Sequence, residues 1–396
     1  MRKSLLTAAA CCLIASTAAH ADDTVKVGIV FGFTGPIESL TPDMAASAEL
    51  AFKEASDTGL FLNGRTIEPI RADSSCVDAA VATAAAERLI TADGVAAIIG
   101  ADCSGVTTAV ANNVAVPKGV LLISPSATSP ALTDIEDNGL FFRTAPSDAR
   151  QGQVLAEIVK ERGIDMIAVT YTNNDYGKGL SDSFSSAFET LGGSVVMTAS
   201  HEDGKADYSA EVGALSASGA EHLAVFGYVD QGGKGIIEAS IDAGAFDTFI
   251  LADGMIGESL TEAFGADMPG SFGTLPGSDS PARATFEEMA KAAGITGSGP
   301  YRGESYDAAA LLLLAMQKAG SAERGAIQPA VMDVANAPGE KIFPGELEKA
   351  LAIIAEGGDV DYVGATDVEF TEVGEAAGAY KEVEVKDGAF ATISVR

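Results

Sequence analysis

Val95-Ala96-Ala97-Ile98-Ile99-Gly100 is an uninterrupted apolar run of strand length, and Ala101-Asp102-Cys103-Ser104-Gly105-Val106-Thr107 follows it as a turn that opens a helical stretch ending at Val114. The next apolar run, Val120 to Ser124, leads into a second polar turn, Ser124-Pro125-Ser126-Ala127-Thr128-Ser129-Pro130. Strand, turn, helix and strand in that order read as a parallel βαβ unit, whose strands are continuous apolar runs because both faces are covered. Upstream, Val25 to Phe31 and Arg65 to Ala72 read as two more strands, separated by helices over Pro42 to Ala55 and Val77 to Ile90.

A second series follows: helix Asp148 to Glu161, strand Met166 to Tyr171, helix Tyr176 to Leu191, strand Ser194 to Ala199, helix Ser209 to Ala217, strand His222 to Tyr228, helix Gly233 to Asp242 and strand Thr248 to Ala252. Between the two series lies Phe141-Phe142-Arg143-Thr144-Ala145-Pro146, extended because Pro146 disfavours helix at Ala145, and expected to be a crossing between lobes. The Gly/Pro/Ser-rich stretch Pro269 to Pro281 is expected to be another. The fold class is therefore α/β with two doubly wound, Rossmann-like lobes. Ligands of open α/β sheets bind outside the carboxyl ends of the strands, which here face a cleft.

Composition agrees. Of 396 residues, 25 are Lys or Arg and 56 are Asp or Glu, a formal net charge of −31, which speaks against a nucleic-acid partner because phosphate binding needs a clustered basic face. Charged residues make up only 20% and AVILMFWYC residues 47%, so the chain has enough apolar material to bury a large core and is not an acidic disordered one. The length suggests two domains.

The first 21 residues stand apart: Arg2 and Lys3, an apolar stretch from Leu5 to Ala15, then the small-x-small triplet Ala19-His20-Ala21. They read as a cleaved signal peptide (1–21), too short for an anchor and too rich in Ala and Ser, which makes the product exported. Cleavage leaves two cysteines, Cys76 and Cys103, in an oxidising compartment. A disulfide is favoured, with two unrelated buried thiols as the alternative.

The catalytic inventory is thin. Beyond the leader only His201 and His222 remain, each suited to a solvated turn or strand end, and no HExxH, CxxC or GxSxG pattern occurs. Gly227 to Gly235 (GYVDQGGKG) fails the phosphate-loop pattern, since no Ser or Thr follows Lys234. The expectation is no enzyme, no metal and no cofactor.

The chemistry sits in the turns. A strand-to-helix turn aims backbone N–H groups and the Ser104 hydroxyl at an anion near a positive helix end, and Ser104 could equally be the helix N-cap, worth about 1 kcal/mol. The hydroxyl-rich turn of residues 124–130 leaves the same sheet edge.

At these residues the chain resembles the periplasmic solute-binding proteins of branched-chain amino acid (leucine-isoleucine-valine) ABC transporters, with the type I periplasmic-binding-protein fold. The resemblance is carried by VKVGIVFGFTGP (25–36), ADSSC (72–76), IIGADCSGVTTAV (98–110), ISPSATSPALT (123–133), FFRTAPSDARQG (141–152), NDYGKGL (174–180), FGYVDQGG (226–233), LADGM (251–255) and SYDAAALL (305–312). It implies two lobes joined by three crossings and closing on an amino acid, no catalysis, delivery to a membrane permease, a periplasmic location and a monomer. Lobe I is expected at 22–146 plus 277–377 and lobe II at 147–276 plus 378–396.

Carried over by position, the resemblance assigns Ser104 and Thr128 to the ligand carboxylate, with Ala127 in the same turn. It gives the Ser126 carbonyl and the Asp253 carboxylate to the ammonium, and Tyr176 and Tyr228 to a cover from lobe II. Cys76 and Cys103 fall at the family's paired cysteines. Two positions depart from the pattern: Leu40 stands where an aromatic is usual, so leucine as ligand does not follow, and Asp102 is expected to point outward rather than to tune the pocket toward a more cationic ligand. A zwitterion suits this residue set, because charge within the closed cleft nearly cancels. The alternatives are a binder of a small amide or aromatic carboxylic acid, a ligand-sensing module that docks on a receptor, and an exported enzyme with Ser104 as nucleophile, which lacks a nearby base.

Overall fold

The computed structural model describes residues 24–396; the leader expected at 1–21 lies outside the described residues. Strands β1 (Thr24–Phe31), β2 (Thr66–Asp73), β3 (Ala97–Gly100), β4 (Leu122–Ser124) and β5 (Phe141–Arg143) make an all-parallel sheet in the order β2-β1-β3-β4-β5. β3 is buried along its whole length, as its apolar run requires, while β2 at the edge exposes Thr66, Glu68 and Arg71. Helices α1 (Thr41–Asp57), α2 (Ala79–Arg88) and α3 (Ser104–Val110, extended by a wider turn to Ala115) connect these strands.

The chain then builds the second sheet. Helix α4 (Asp148–Glu161) starts at the Ser147 cap, whose side chain accepts the Ala149 N–H. It leads to β6 (Met166–Thr172), α5 (Asp175–Thr190), β7 (Ser194–His201), α6 (Ser209–Ser216), β8 (Leu223–Phe226), α7 (Gly232–Ala243), β9 (Phe249–Leu251), α8 (Glu258–Phe264) and β10 (Phe272–Pro276). Helices α9 (Pro281–Ala292) and α10 (Arg302–Ala319) return to the first sheet. There α10 packs against α1, β3 and β4 with every residue from Arg302 to Met316 buried. Leu311 to Leu314 are its centre, each worth roughly 1.5–3 kcal/mol of burial. After a short parallel pair, β11 (Glu340–Ile342) and β12 (Val360–Tyr362), the chain passes back as β13 (Tyr380–Lys386) and β14 (Ala389–Val395). The second sheet runs β14-β13-β10-β9-β8-β6-β7, parallel from β10 to β7 and antiparallel at the β13–β14 hairpin. Asp387 and Gly388, both at positive φ (51° and 80°), form the two-residue turn of that hairpin.

Two segments differ from their sequence reading. Phe141–Arg143 is a fifth strand of the first sheet, with Phe141 opposite Leu122, and the crossing begins only at Thr144. Pro269 to Pro281 contains β10, five buried residues in mid-sheet. Its glycine marks a close approach rather than a turn: a Cβ at Gly273 would lie 2.3 Å from the Leu251 carbonyl.

His201 ends β7 fully buried, its Nδ1 2.8 Å from the Thr170 hydroxyl and its Nε2 without a partner. Burial pulls its pKa down to about 4, against a smaller upward pull from Glu211. The unfolded value is near 6.5, so the neutral ring's contribution is complete above that pH and is lost as the unfolded chain takes up the proton between about 6.5 and 4. Across that window the protein should lose up to about 3 kcal/mol more stability than a His201→Gln variant, read from urea midpoints. Parallel pH profiles would show that the ring is charged in the fold.

Candidate functional site

Six connections meet above the carboxyl ends of both sheets: those following β1, β3 and β4 from one side, and β6, β8 and β9 from the other. At the end of β3 the chain turns sharply at Gly100 (φ +129°), where a Cβ would stand 2.4 Å from the Val30 carbonyl. Asp102 follows, and it points inward, not out to solvent. One carboxylate oxygen accepts the Gly32 N–H at 2.5 Å and the other the Ser74 hydroxyl at 2.9 Å. Desolvation raises its pKa and these donors lower it. This acid ties the β1, β2 and β3 loops together, a role its position beside the cradle did not reveal. The Cys76–Cys103 disulfide staples the same loops, closing a 27-residue separation worth about 3.5 kcal/mol in the chain-entropy account.

Ser104 is the first helical residue of α3; the N-cap is Cys103, which makes no side-chain cap. The Ser104 hydroxyl accepts the Ser129 N–H at 3.0 Å, joining the two polar turns. Its own proton is left to donate, which is what a ligand carboxylate needs. Ser104→Ala should weaken binding of a carboxylate ligand by about 1.5–3 kcal/mol, measured by calorimetry. An unchanged affinity would remove Ser104 from the site.

Arg143 shapes the second turn. It is 1% exposed, donates to the Ala127 and Ser129 carbonyls at 3.2 and 2.8 Å and to the Thr133 hydroxyl at 2.9 Å, and pairs with Glu375. The Ser126 hydroxyl donates to the Asp102 carbonyl at 3.1 Å.

From the other side, Tyr176 in the first turn of α5 and Tyr228 after β8 stack at 5.2 Å and 19°. The Asn174 cap of α5 accepts the Gly177 N–H and donates to the Tyr228 hydroxyl. Asp253, after β9, is 3% exposed. It accepts hydroxyl protons from Tyr176 at 3.3 Å and from Tyr301, while the Tyr176 oxygen accepts the Gly254 N–H at 3.2 Å. Burial raises the Asp253 pKa, and the Tyr301 hydroxyl is the strongest pull against it.

Leu40, Ser104, Ser126, Tyr176, Tyr228 and Asp253 line one cavity of about 30 Å3, together with Ile37, Met44, Cys103, Gly254, Tyr301 and the inward-turned Asp102, a second carboxylate on its wall. The lining does not include Ala127 or Thr128: the first gives its carbonyl to Arg143, and the second gives its carbonyl to the Asp148 N–H. The cavity has room for little more than a water, so a larger guest requires the two sides to part. They are latched across the cleft by Asp230, which accepts the Ser39 N–H at 2.8 Å and whose own N–H reaches the Pro36 carbonyl.

Sequence reasoning missed Tyr301. It sits at the return to the first lobe with φ +67°, a left-handed backbone that only long-range packing imposes, and no local signal marks it.

A profile of the periplasmic binding protein family matches residues 24–344. The leucine-, isoleucine-, valine-, threonine- and alanine-binding protein of Pseudomonas aeruginosa is 28% identical over 306 residues, 76% of this chain and 80% of that protein. A Leu/Ile/Val-binding protein homologue of Brucella melitensis is 31% identical over 326 residues, 81% and 85% of the two chains. Among solved structures, a leucine-binding protein of Thermotoga maritima superposes with a TM-score of 0.79 at 23% identity, over 94% of this chain and 98% of that one. These relatives are binding proteins.

Proposed function

We propose, for a chain that belongs to the periplasmic binding protein family, that it captures an amino acid between its two lobes and delivers it to the membrane permease of an ABC transporter. Asp253 carries the reading. It is a buried carboxylate in a cavity whose lining, among the described residues, includes no Lys, Arg or His. A buried acid without a cation is costly, and a ligand ammonium supplies the missing charge. Ser104 in the same lining supplies a donor for the ligand carboxylate, so the closed site suits a zwitterion.

The moving bodies are taken as residues 22–146 plus 277–377 and 147–276 plus 378–396, hinged at the three crossings. Thr128 and Ala127 belong to the same turn as Ser126 and come to the ligand through it. The working place is the periplasm, reached through the cleaved leader.

A thermal-shift panel of amino acids, amides and aromatic acids tests this on protein that has been unfolded and refolded, so that ligand carried from the host is gone. A true ligand at 100 times its dissociation constant adds about 2.7 kcal/mol of stability. Stabilisation by one or a few amino acids is the expected result, and stabilisation only by amides or aromatic acids would replace the reading.

A further inference from the structure

Two carboxylates stand on the wall of one small cavity. Asp102 is 1% exposed and Asp253 3%, and the cavity of about 30 Å3 that they share has, among the described residues, no Lys, Arg or His in its lining. They come from different sheets, Asp102 from the turn after β3 and Asp253 from the turn after β9. Each is held by its own donors: Asp253 by the Tyr176 and Tyr301 hydroxyls, Asp102 by the Gly32 N–H at 2.5 Å and the Ser74 hydroxyl at 2.9 Å. One α-ammonium answers the first acid. The second is left over.

The ties on Asp102 fix its place without using it up. Gly32 and Ser74 each take one carboxylate oxygen, and the Cys103 N–H is a third donor to the group. An ionised carboxylate offers about four acceptor positions, so capacity for a further donor remains. None of these three donors carries a charge, and a buried carboxylate without a counter-charge is costly. The lining does little to relieve that. Ile37, Leu40 and Met44 have no donor to give, Cys103 is locked in its disulfide, and the Ser126 hydroxyl is spent on the Asp102 carbonyl at 3.1 Å.

With Asp253 given to the ligand ammonium and Ser104 to its carboxylate, what remains for Asp102 to face is the ligand side chain. An apolar side chain would seal this acid away from water unpaired, whereas an N–H or O–H group on the side chain would complete it. A site built to bond such a group rejects the isostere that lacks it far more strongly than an apolar pocket separates two hydrocarbons.

We propose that Asp102 sets the side-chain specificity of this cleft, and that its ligand is a compact amino acid whose side chain carries a hydrogen-bond donor aimed at that carboxylate. The inference rests on the amino-acid reading and deepens it by naming the class. The shared chemistry is a second donor beyond the α-ammonium, supplied by an ammonium, an amide or a hydroxyl, and the purely apolar branched-chain amino acids are the disfavoured class.

The test is calorimetric titration of refolded parent protein with three near-isosteric pairs that distinguish those sources: L-2,4-diaminobutyrate against L-norvaline, L-asparagine against L-leucine, and L-threonine against L-valine. In at least one pair the donor-bearing member should bind about tenfold or more tightly than its apolar partner. The same pair is then titrated into Asp102→Asn, which keeps the side-chain size and removes the charge. There the preference should shrink by about threefold or more, chiefly through loss of the donor-bearing ligand. A residue that only ties the loops would weaken both members by the same factor, and that result would overturn the inference. So would apolar members that bind the parent within tenfold of their partners in every pair, a reading that does not depend on how the variant folds; either result leaves the amino-acid reading in place. Failure of all six amino acids to bind the parent would overturn both.

Discussion

Asp253→Asn should lower amino-acid affinity by on the order of 2 to 5 kcal/mol, the range seen when one half of a buried charge pair is removed. Tyr176 and Tyr301 aim their hydroxyl protons at this carboxylate, so the group is oriented before any ligand arrives. The des-amino analogue of the same ligand should respond in the opposite sense. It binds the parent badly, because it leaves Asp253 buried without a counter-charge, and it should regain relative affinity in the Asn variant. General damage to the fold would weaken both ligands together and cannot produce this crossed pattern. Calorimetry with the matched pair on both proteins decides it, and an Asn variant that holds the amino acid as tightly as the parent would rule Asp253 out as the ammonium partner.

Arg143→Met should cost about 3–5 kcal/mol of folding stability, again from breaking a buried pair. Glu375 loses its counter-ion, and the Ala127 and Ser129 carbonyls lose their donor. The loss should reach the ligand as well, because those carbonyls fix the turn that presents Ser126 to the cavity. Urea unfolding reads the first effect. Replacing Glu375 by Leu in the Arg143→Met background should recover part of it, since the stranded acid is then gone. A loss below about 1 kcal/mol in the single variant would show that water or a rearranged Glu375 substitutes for the guanidinium.

Helix and strand periodicity carried most of the fold. α4 begins and ends where its apolar spacing placed it, and β3, buried on both faces, could hardly be read otherwise. The losses came where composition and context disagree. β10 hides among glycines and prolines because a mid-sheet glycine that lets two strands approach looks, from sequence, like a turn. Of the residues that line the cavity, Ser104 was marked by the strand-to-helix turn it opens and Ser126 by its hydroxyl-rich turn, whereas Tyr176, Tyr228, Asp253 and Leu40 were reached only through the family resemblance of their motifs. Asp102 was misjudged, since nothing local to ADCSG announces that Gly32 and Ser74 wait to receive its carboxylate. Tyr301 reaches the cavity only through a crossing that brings distant chain segments together, and no periodicity encodes that.

The central claim is that this cleft recognises a cationic nitrogen, and it is tested most directly by titrating refolded parent protein with an amino acid and its des-amino acid side by side, for example L-leucine against 4-methylpentanoate and L-alanine against propionate. The account predicts that at least one amino acid binds and that its des-amino partner binds 30-fold or more weakly, about 2 kcal/mol. A simple carboxylic acid that binds as tightly as its amino acid, or more tightly, would contradict it.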